Sequence, residues 1–239
     1  MSSSRQPYKH QRYELQRSIL KWLLRRVGWR VFARFAGAEG VENVPAAGPA
    51  ILMINHIAFV DPLAVMACLP RNIVPLAKSE VFWIPLWGIF PWIWRVIPVR
   101  RQELDRRALQ QALEILAAGE IVLVAPDGTR RPALTQGKEG VAYLAYKSGA
   151  PIVPVAVEGT RGYPRFPPGK GPGARVKFGR PFRLKTLNGR LTRELLRQST
   201  DEALYVLAAM LPEHRRGYYS DLSKATRDFV DTEYAFRNT

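Results

Sequence analysis

The chain is poor in the residues from which many sites and membrane spans are made. It has a single cysteine, Cys68, in 239 residues, which excludes an intramolecular disulfide and any cysteine-based zinc cluster. Its three histidines, His10, His56 and His214, lie too far apart for a local metal motif, so no metal site is expected. No Gly-x-Ser-x-Gly elbow occurs, which removes that class of serine nucleophile. No apolar run approaches the about 20 residues that a bilayer-crossing helix needs. Acids are scarce too: 20 Asp and Glu stand against 36 Lys and Arg, a net charge of +16. That excess calls for an anionic partner, which could be nucleic acid, an anionic membrane or a phosphorylated substrate. The rest is ordinary. With 47% hydrophobic and 23% charged residues, the chain is neither disordered nor fibrous, and its length suits one large domain or two small ones.

Half of the charge excess lies in residues 1–34, where nine basic side chains (Arg5, Lys9, Arg12, Arg17, Lys21, Arg25, Arg26, Arg30 and Arg34) meet one acid, Glu14. The segment is no signal peptide, because its apolar residues never form an uninterrupted run and no small-residue cleavage site follows. It reads as a helix from about Gln11 to Ala36. Leu20, Leu24, Val27, Val31 and Phe35 keep to one face, with Arg26, Arg30 and Arg34 beside them and Gly28 arguing against one straight rod. Such a helix suits a lipid interface, or equally a surface helix docked on the protein's own core. A second stretch favours lipid: Val81–Trp94 is fourteen residues without a charge and holds four of the six tryptophans, residues that favour the headgroup boundary. Pro85 and Pro91 are expected to interrupt a helix there. The expectation is peripheral or monotopic attachment to an anionic membrane surface, on its cytoplasmic face.

Along the chain, short apolar runs alternate with helical patterns. Strands are expected at Ala50–Ile54, near Ile73–Leu76, at Ile121–Val124, at Ile152–Val157 and near Arg175–Phe178. Helices are expected at about Pro62–Leu69, 103–118, Lys138–Ser148 and Leu191–Leu211, two of them closed by Gly119 and Gly149. Phe166–Gly173 reads as a Pro/Gly loop. The fold class is therefore α/β, a largely parallel or mixed sheet covered by helices, preceded by a basic amphipathic helical segment. Three parts follow: residues 1–36 as a membrane-associating segment, 37–211 as the α/β domain, and 212–239 as a tail that carries no readable signal.

In covered sheets, ligands gather beyond the carboxyl ends of the strands. Two polar clusters occupy that place. Directly after the first strand come Asn55, His56 and, five residues on, Asp61. Five residues correspond to about 140° on a helix, so His56 and Asp61 can meet only across a turn, which Pro62 at a helix start allows. An aspartate bonded to one imidazole nitrogen fixes the tautomer and leaves the other free to take a proton. Cys68 sits within an apolar helix and is expected to be packed rather than reactive. His56 then has to activate a substrate hydroxyl directly. The second cluster, Pro126-Asp127-Gly128-Thr129-Arg130, follows the strand Ile121–Val124. Gly128 permits a tight turn exposing backbone N–H groups, and Arg130 offers a planar fork for phosphate. Lys78, Arg101, Arg131 and Lys138 are further cations near strand or helix ends, each also readable as a solvated surface charge.

The residues Asn55-His56-Ile57-Ala58-Phe59-Val60-Asp61 resemble the NHxxxxD motif of the glycerolipid acyltransferases, and more specifically of the bacterial 1-acylglycerol-3-phosphate acyltransferases. Further blocks follow in that family's order. Ala77-Lys78-Ser79-Glu80 resembles its lysine block, and Ile97-Pro98-Val99-Arg100-Arg101 its second motif, with Arg101 at the arginine position. Pro126 to Arg130 resembles the F-P-E-G-T-R block, and Ile152-Val153-Pro154-Val155-Ala156 the apolar fourth motif. The resemblance runs from about residue 40 to 185. It implies that His56, oriented by Asp61 and supported by Asn55, deprotonates a glycerol hydroxyl that attacks acyl-CoA or acyl-carrier protein, with no bound cofactor. It also implies that Lys78, Arg101, Asp127, Gly128, Thr129 and Arg130, supported by Lys138, form the acceptor's phosphate site. The product would be phosphatidic acid, made from a lysophospholipid. Two positions depart from the pattern: the family's Phe is Ala125 here, and its Glu is Asp127, one methylene shorter. Another acceptor, such as a lyso-ornithine lipid, therefore stays open. From other classes the rivals are a basic nucleic-acid-binding module, which the intermixed tryptophans and the lack of a nucleic-acid motif disfavour, and a catalytically silent membrane scaffold.

Overall fold

A computed structural model describes residues 11–31, 33–85, 88–100, 105–164, 171–185 and 190–237. The chain opens with α1 (Gln11–Leu23), which continues through a π-helical turn (Leu24–Gly28) into the short α2 (Trp29–Val31). At that turn a Cβ on Gly28 would lie 2.8 Å from Leu24 Cδ1, so the one-residue bulge forms where the side chain is missing. Next come β1 (Phe35–Glu39), β2 (Ala50–Ile54), α3 (Asp61–Cys68), β3 (Ile73–Lys78), α4 (Ile89–Trp94) and β4 (Ile97–Val99). They are followed by α5 (Arg106–Ala117), β5 (Ile121–Val124), α6 (Gly140–Ser148), β6 (Ile152–Glu158) and β7 (Ala174–Phe178). The chain closes with β8 (Arg183–Leu184), α7 (Arg193–Ala209), α8 (Glu213–Arg216) and β9 (Val230–Asp231).

Among the described residues, seven strands form one sheet in the order β1-β7-β6-β2-β5-β3-β4. The pairs within β6-β2-β5-β3-β4 are parallel, and β7 is antiparallel to β6 but parallel to β1, so the sheet is mixed. The central strands explain their own composition. Along β2, Ile51 and Met53 face the core under α5, α6 and α7, while Ala50, Leu52 and Ile54 face the core under α3 and α4. With both faces covered, period-two patterning disappears and every residue of β2 and β5 is buried or nearly so. Both strands end at the same edge, and the two polar clusters follow them.

The expected α/β class, with a mixed sheet and an N-terminal helical segment, is what the chain adopts. Two expectations fail in detail, and a third falls mostly outside the described residues. The N-terminal helix stops at Val31 rather than Ala36, and Phe35 opens β1, which lies beside β7 at the sheet edge. Arg34 O accepts from Ala174 N (2.7 Å), so pairing with a distant strand overrides local helical periodicity. Pro91 does not interrupt the Trp-rich segment; it lies in the first turn of α4, where its missing N–H costs nothing. Finally, most of the Phe166–Gly173 loop lies outside the described residues.

The N-terminal helix docks on the domain partly through its cations, an orientation that its periodicity does not signal. Arg17, Lys21 and Arg25, four residues apart, turn inward. Arg17 is fully buried and donates to Trp94 O (3.0 Å), Lys21 donates to Pro70 O (2.8 Å), and Arg25 donates to Ala67 O (2.6 Å) and Leu69 O (3.0 Å). The last carbonyls of a helix lack partners and carry the negative end of its dipole, so cations close the ends of α3 and α4. Leu15, Ile19, Trp22, Leu23 and Val27 consequently face outward.

Candidate active site

His56 sits immediately beyond β2, and three sets of bonds fix it. Asn55 is buried and bridges to β6 through both ends of its amide: Nδ2 donates to Val157 O (2.9 Å) and Oδ1 accepts from Val157 N (2.7 Å). The chain then turns through Phe59 and Val60 into α3. Asp61 at the helix start is fully buried, and its Oδ2 accepts from Ile57 N (2.6 Å) and Ala58 N (2.7 Å). The same oxygen lies 2.9 Å from His56 Nδ1. Two backbone amides thus lock the carboxylate before it meets the ring. With Nδ1 held by a carboxylate, Nε2 is left as the proton acceptor. The third set ties in the second cluster: Arg131 N–H donates to His56 O (2.8 Å).

His56 lines a cavity of about 910 Å³. Lys78, Arg100, Thr129, Arg130 and Lys138 lie on its wall, while Phe59, Leu63, Met66, Val81, Phe90 and Val96 make an apolar portion. One space therefore offers a base, several cations and an oily surface. The Trp-rich segment divides between two environments. Val81, Phe90 and Pro91 line the cavity, Trp94 is buried with its indole N–H on Ile73 O (2.8 Å), and Trp83, Ile89, Trp92 and Ile93 are exposed. Trp87 lies outside the described residues.

A family model described as Acyltransferase matches residues 35–158, a block that begins with β1, ends with β6 and contains both clusters. The chain belongs to the acyltransferase family. The 1-acyl-sn-glycerol-3-phosphate acyltransferase of Borreliella burgdorferi is 33% identical over 128 residues, covering 52% of this chain and 51% of its own. The chloroplastic 1-acyl-sn-glycerol-3-phosphate acyltransferase LPAT1 of Arabidopsis thaliana is 31% identical over 127 residues, covering 51% and 35%. The chain thus spans between about a third and a half of the length of the curated relatives it matches. Among solved structures, the 1-acyl-sn-glycerophosphate (LPA) acyltransferase PlsC from Thermotoga maritima is similar with a TM-score of 0.55 and 27% identity, over 78% of this chain and 77% of that one.

In this member of the family, His56, Lys78, Gly128, Thr129, Arg130 and Lys138 share the cavity wall. Lys78 also pairs with Glu80 (2.7 Å), whose carboxyl it holds down at about 2. Two expectations need correction. Asp127 is not on the wall. Its Oδ1 accepts from Thr135 N (2.8 Å) and Thr135 Oγ1 (3.1 Å), and burial raises its pKa, so the shorter side chain closes the loop instead of facing a ligand. Gly128 adopts the left-handed conformation (φ 63°), but its N–H is bonded to Ala125 O (3.0 Å) and is not offered to an anion. Arg101 lies outside the described residues, while its neighbour Arg100 lines the cavity. Arg100 N–H donates to Asp105 Oδ2 (2.9 Å), and Asp105 also caps α5 through Ala108 N (3.0 Å). Sequence reasoning passed over Arg100, although it belonged to the same motif. Arg193, at the start of α7, also reaches the wall, and no local pattern signals it. Cys68 lies off the wall; its thiol donates to Ala64 O (3.0 Å), and burial pushes its pKa up to about 12. Among the described residues, no group of three or more His, Cys, Asp or Glu could hold a metal ion.

Proposed function

We propose that the protein transfers a fatty acyl group from acyl-CoA or acyl-carrier protein to the free hydroxyl of 1-acylglycerol-3-phosphate, giving phosphatidic acid. The observation that carries this reading is the His56–Asp61 pair opening on a cavity that is cationic and apolar together. His56 Nε2 takes the hydroxyl proton, and the oxygen attacks the thioester carbonyl. The tetrahedral intermediate collapses with departure of the thiolate, which receives the proton back from the imidazolium. Buried Asp61 holds the ring and balances its transient charge. No enzyme nucleophile is needed, and Cys68 is in the wrong place and state to be one. Lys78, Arg130 and Lys138 hold the acceptor's phosphate and the apolar wall takes an acyl chain, with no bound cofactor.

The outward face of α1 and the exposed part of the Trp-rich segment supply the membrane contact. α1 runs beside α4, bonded to it through Gln16 to Ile93 O and Arg17 to Trp94 O. Leu15, Ile19, Trp22 and Leu23 thereby join Ile89, Trp92 and Ile93 in an exposed apolar surface, with the exposed cations Arg12, Arg26 and Arg30 on the same segment. None of the described helices is long and apolar enough to cross a membrane. This exposed apolar surface beside cations supports monotopic attachment, and the need for a thioester donor supports the cytoplasmic face. Nucleic acid is the less favoured partner, because three of the helix's cations are bonded to carbonyls and its outward face is apolar. Since Asp127 leaves the wall, a second acceptor such as a lyso-ornithine lipid is the alternative reading. Mass-spectrometric identification of the product formed from a mixed lysolipid pool and acyl-CoA or acyl-carrier protein tests both. Phosphatidic acid is expected; consumption of another lysolipid would favour the alternative, and no acylated product would refute the reading.

A further inference from the structure

The tail beyond α7 lies outside the matched block and packs on the loop that carries Arg130 and Lys138. Leu134 N donates to Arg215 O and Tyr218 N donates to Leu134 O, both at 2.9 Å. The Arg215 guanidinium donates to Pro132 O (2.7 Å) and pairs with Glu158 at the end of β6 (3.4 Å). Between these contacts the tail passes so close that a Cβ on Gly217 (φ 52°) would lie 2.1 Å from Leu134 O, so only glycine fits. The buried Tyr219 hydroxyl accepts from Gly137 N–H (3.1 Å) and donates to Asp201 Oδ1 on α7 (2.6 Å). Gly137 is the residue before Lys138, whose own N–H closes the loop on Pro126 O (3.1 Å). Glu202 on α7 then anchors the following chain, accepting from Thr226 Oγ1, Asp228 N, Phe229 N and Val230 N.

We infer that the segment Pro212–Tyr219 is a brace that positions the anion-binding loop, with Tyr219 as the positioning residue that sets Lys138 through Gly137. Asp127 and Thr135 hold the loop from within, and the tail ties it to α7 and β6 from outside. The inference rests on the acyl transfer proposed above and extends the acceptor site to residues that touch no substrate.

Tyr219→Phe keeps the ring and removes both hydroxyl bonds. In the full chain, the KM for lysophosphatidate should rise about tenfold, the effect of leaving one buried amide unpaired, while kcat and the acyl-donor KM stay within about twofold. In a Lys138→Met background the same change should have almost no further effect, because the group it positions is gone. Hydrogen exchange, read without substrate, should speed up in residues 126–138 and leave β2 protected. Unchanged kinetics, equal losses in both KM values, or full additivity with Lys138→Met would overturn the brace. If the wild type acylates nothing, the functional reading fails instead. The exchange arm then still decides the brace: unchanged exchange in 126–138 overturns it.

Discussion

Arg17 and Lys21 on α1 are buried against carbonyls at the end of α4 and just beyond α3, whereas Lys78, Arg100, Arg130 and Lys138 stand on the wall of a cavity. In the sequence these residues belong to one excess of positive charge. What separates them is the supply of acceptors. Helix ends leave carbonyls unpaired, and a cation within reach is drawn onto them. The loop after β5 ties three of its amides, those of Gly128, Arg131 and Lys138, to Ala125, His56 and Pro126, and keeps its side-chain cations on the cavity wall. Charge in the first region fastens the fold, and charge in the second is left facing the cavity.

Removing cations from each region should therefore give opposite phenotypes. The largest effect is expected at the cavity. Arg130→Ala should lower kcat/KM for lysophosphatidate by about 10–100-fold, as lost hydrogen bonds to a charged group do, with Tm little changed. Next comes the apolar face that the inward cations leave exposed. Trp22→Ser with Trp92→Ser should weaken vesicle flotation by about tenfold or more, from the loss of two inserted rings. Replacing anionic by zwitterionic lipid should weaken it less, because Arg17, Lys21 and Arg25 are already engaged; the reverse order would break the comparison. Arg17→Met should cost about 1–3 kcal/mol of stability, seen as a lower Tm, while the kcat/KM of the folded fraction holds. The smallest change is expected for Asp127→Asn, a KM increase below about threefold, since the amide oxygen still accepts from Thr135. Burial raises the Asp127 pKa, so the fold favours the neutral form; the stability linked to it is present at low pH and lost as pH rises through the folded pKa. Asn removes that dependence.

Much of this was legible in the chain. β2 and β5 are apolar runs because both their faces are covered, and their limits, Ala50–Ile54 and Ile121–Val124, can be read from the residues. The turn joining His56 to Asp61 follows from five-residue spacing and Pro62. β1 was not legible: Phe35-Ala36-Gly37-Ala38-Glu39 is small and weakly patterned, and only β7, some 140 residues away in sequence, makes it a strand. The direction of α1 was not legible either, because the carbonyls that attract its cations belong to α3 and α4. Nor was the turning away of Asp127, which depends on Thr135 across a loop. Local pattern located the His56–Asp61 pair, and long-range pairing decided which side chains face the cavity beside it.

The central claim is that His56 is the base of an acyl transfer, and single-turnover kinetics of His56→Ala with acyl-CoA and lysophosphatidate test it most directly. With Tm unchanged, the rate should fall by about 10²–10⁴-fold, the usual worth of general-base help. A His56→Ala protein acylating at the wild-type rate would contradict it.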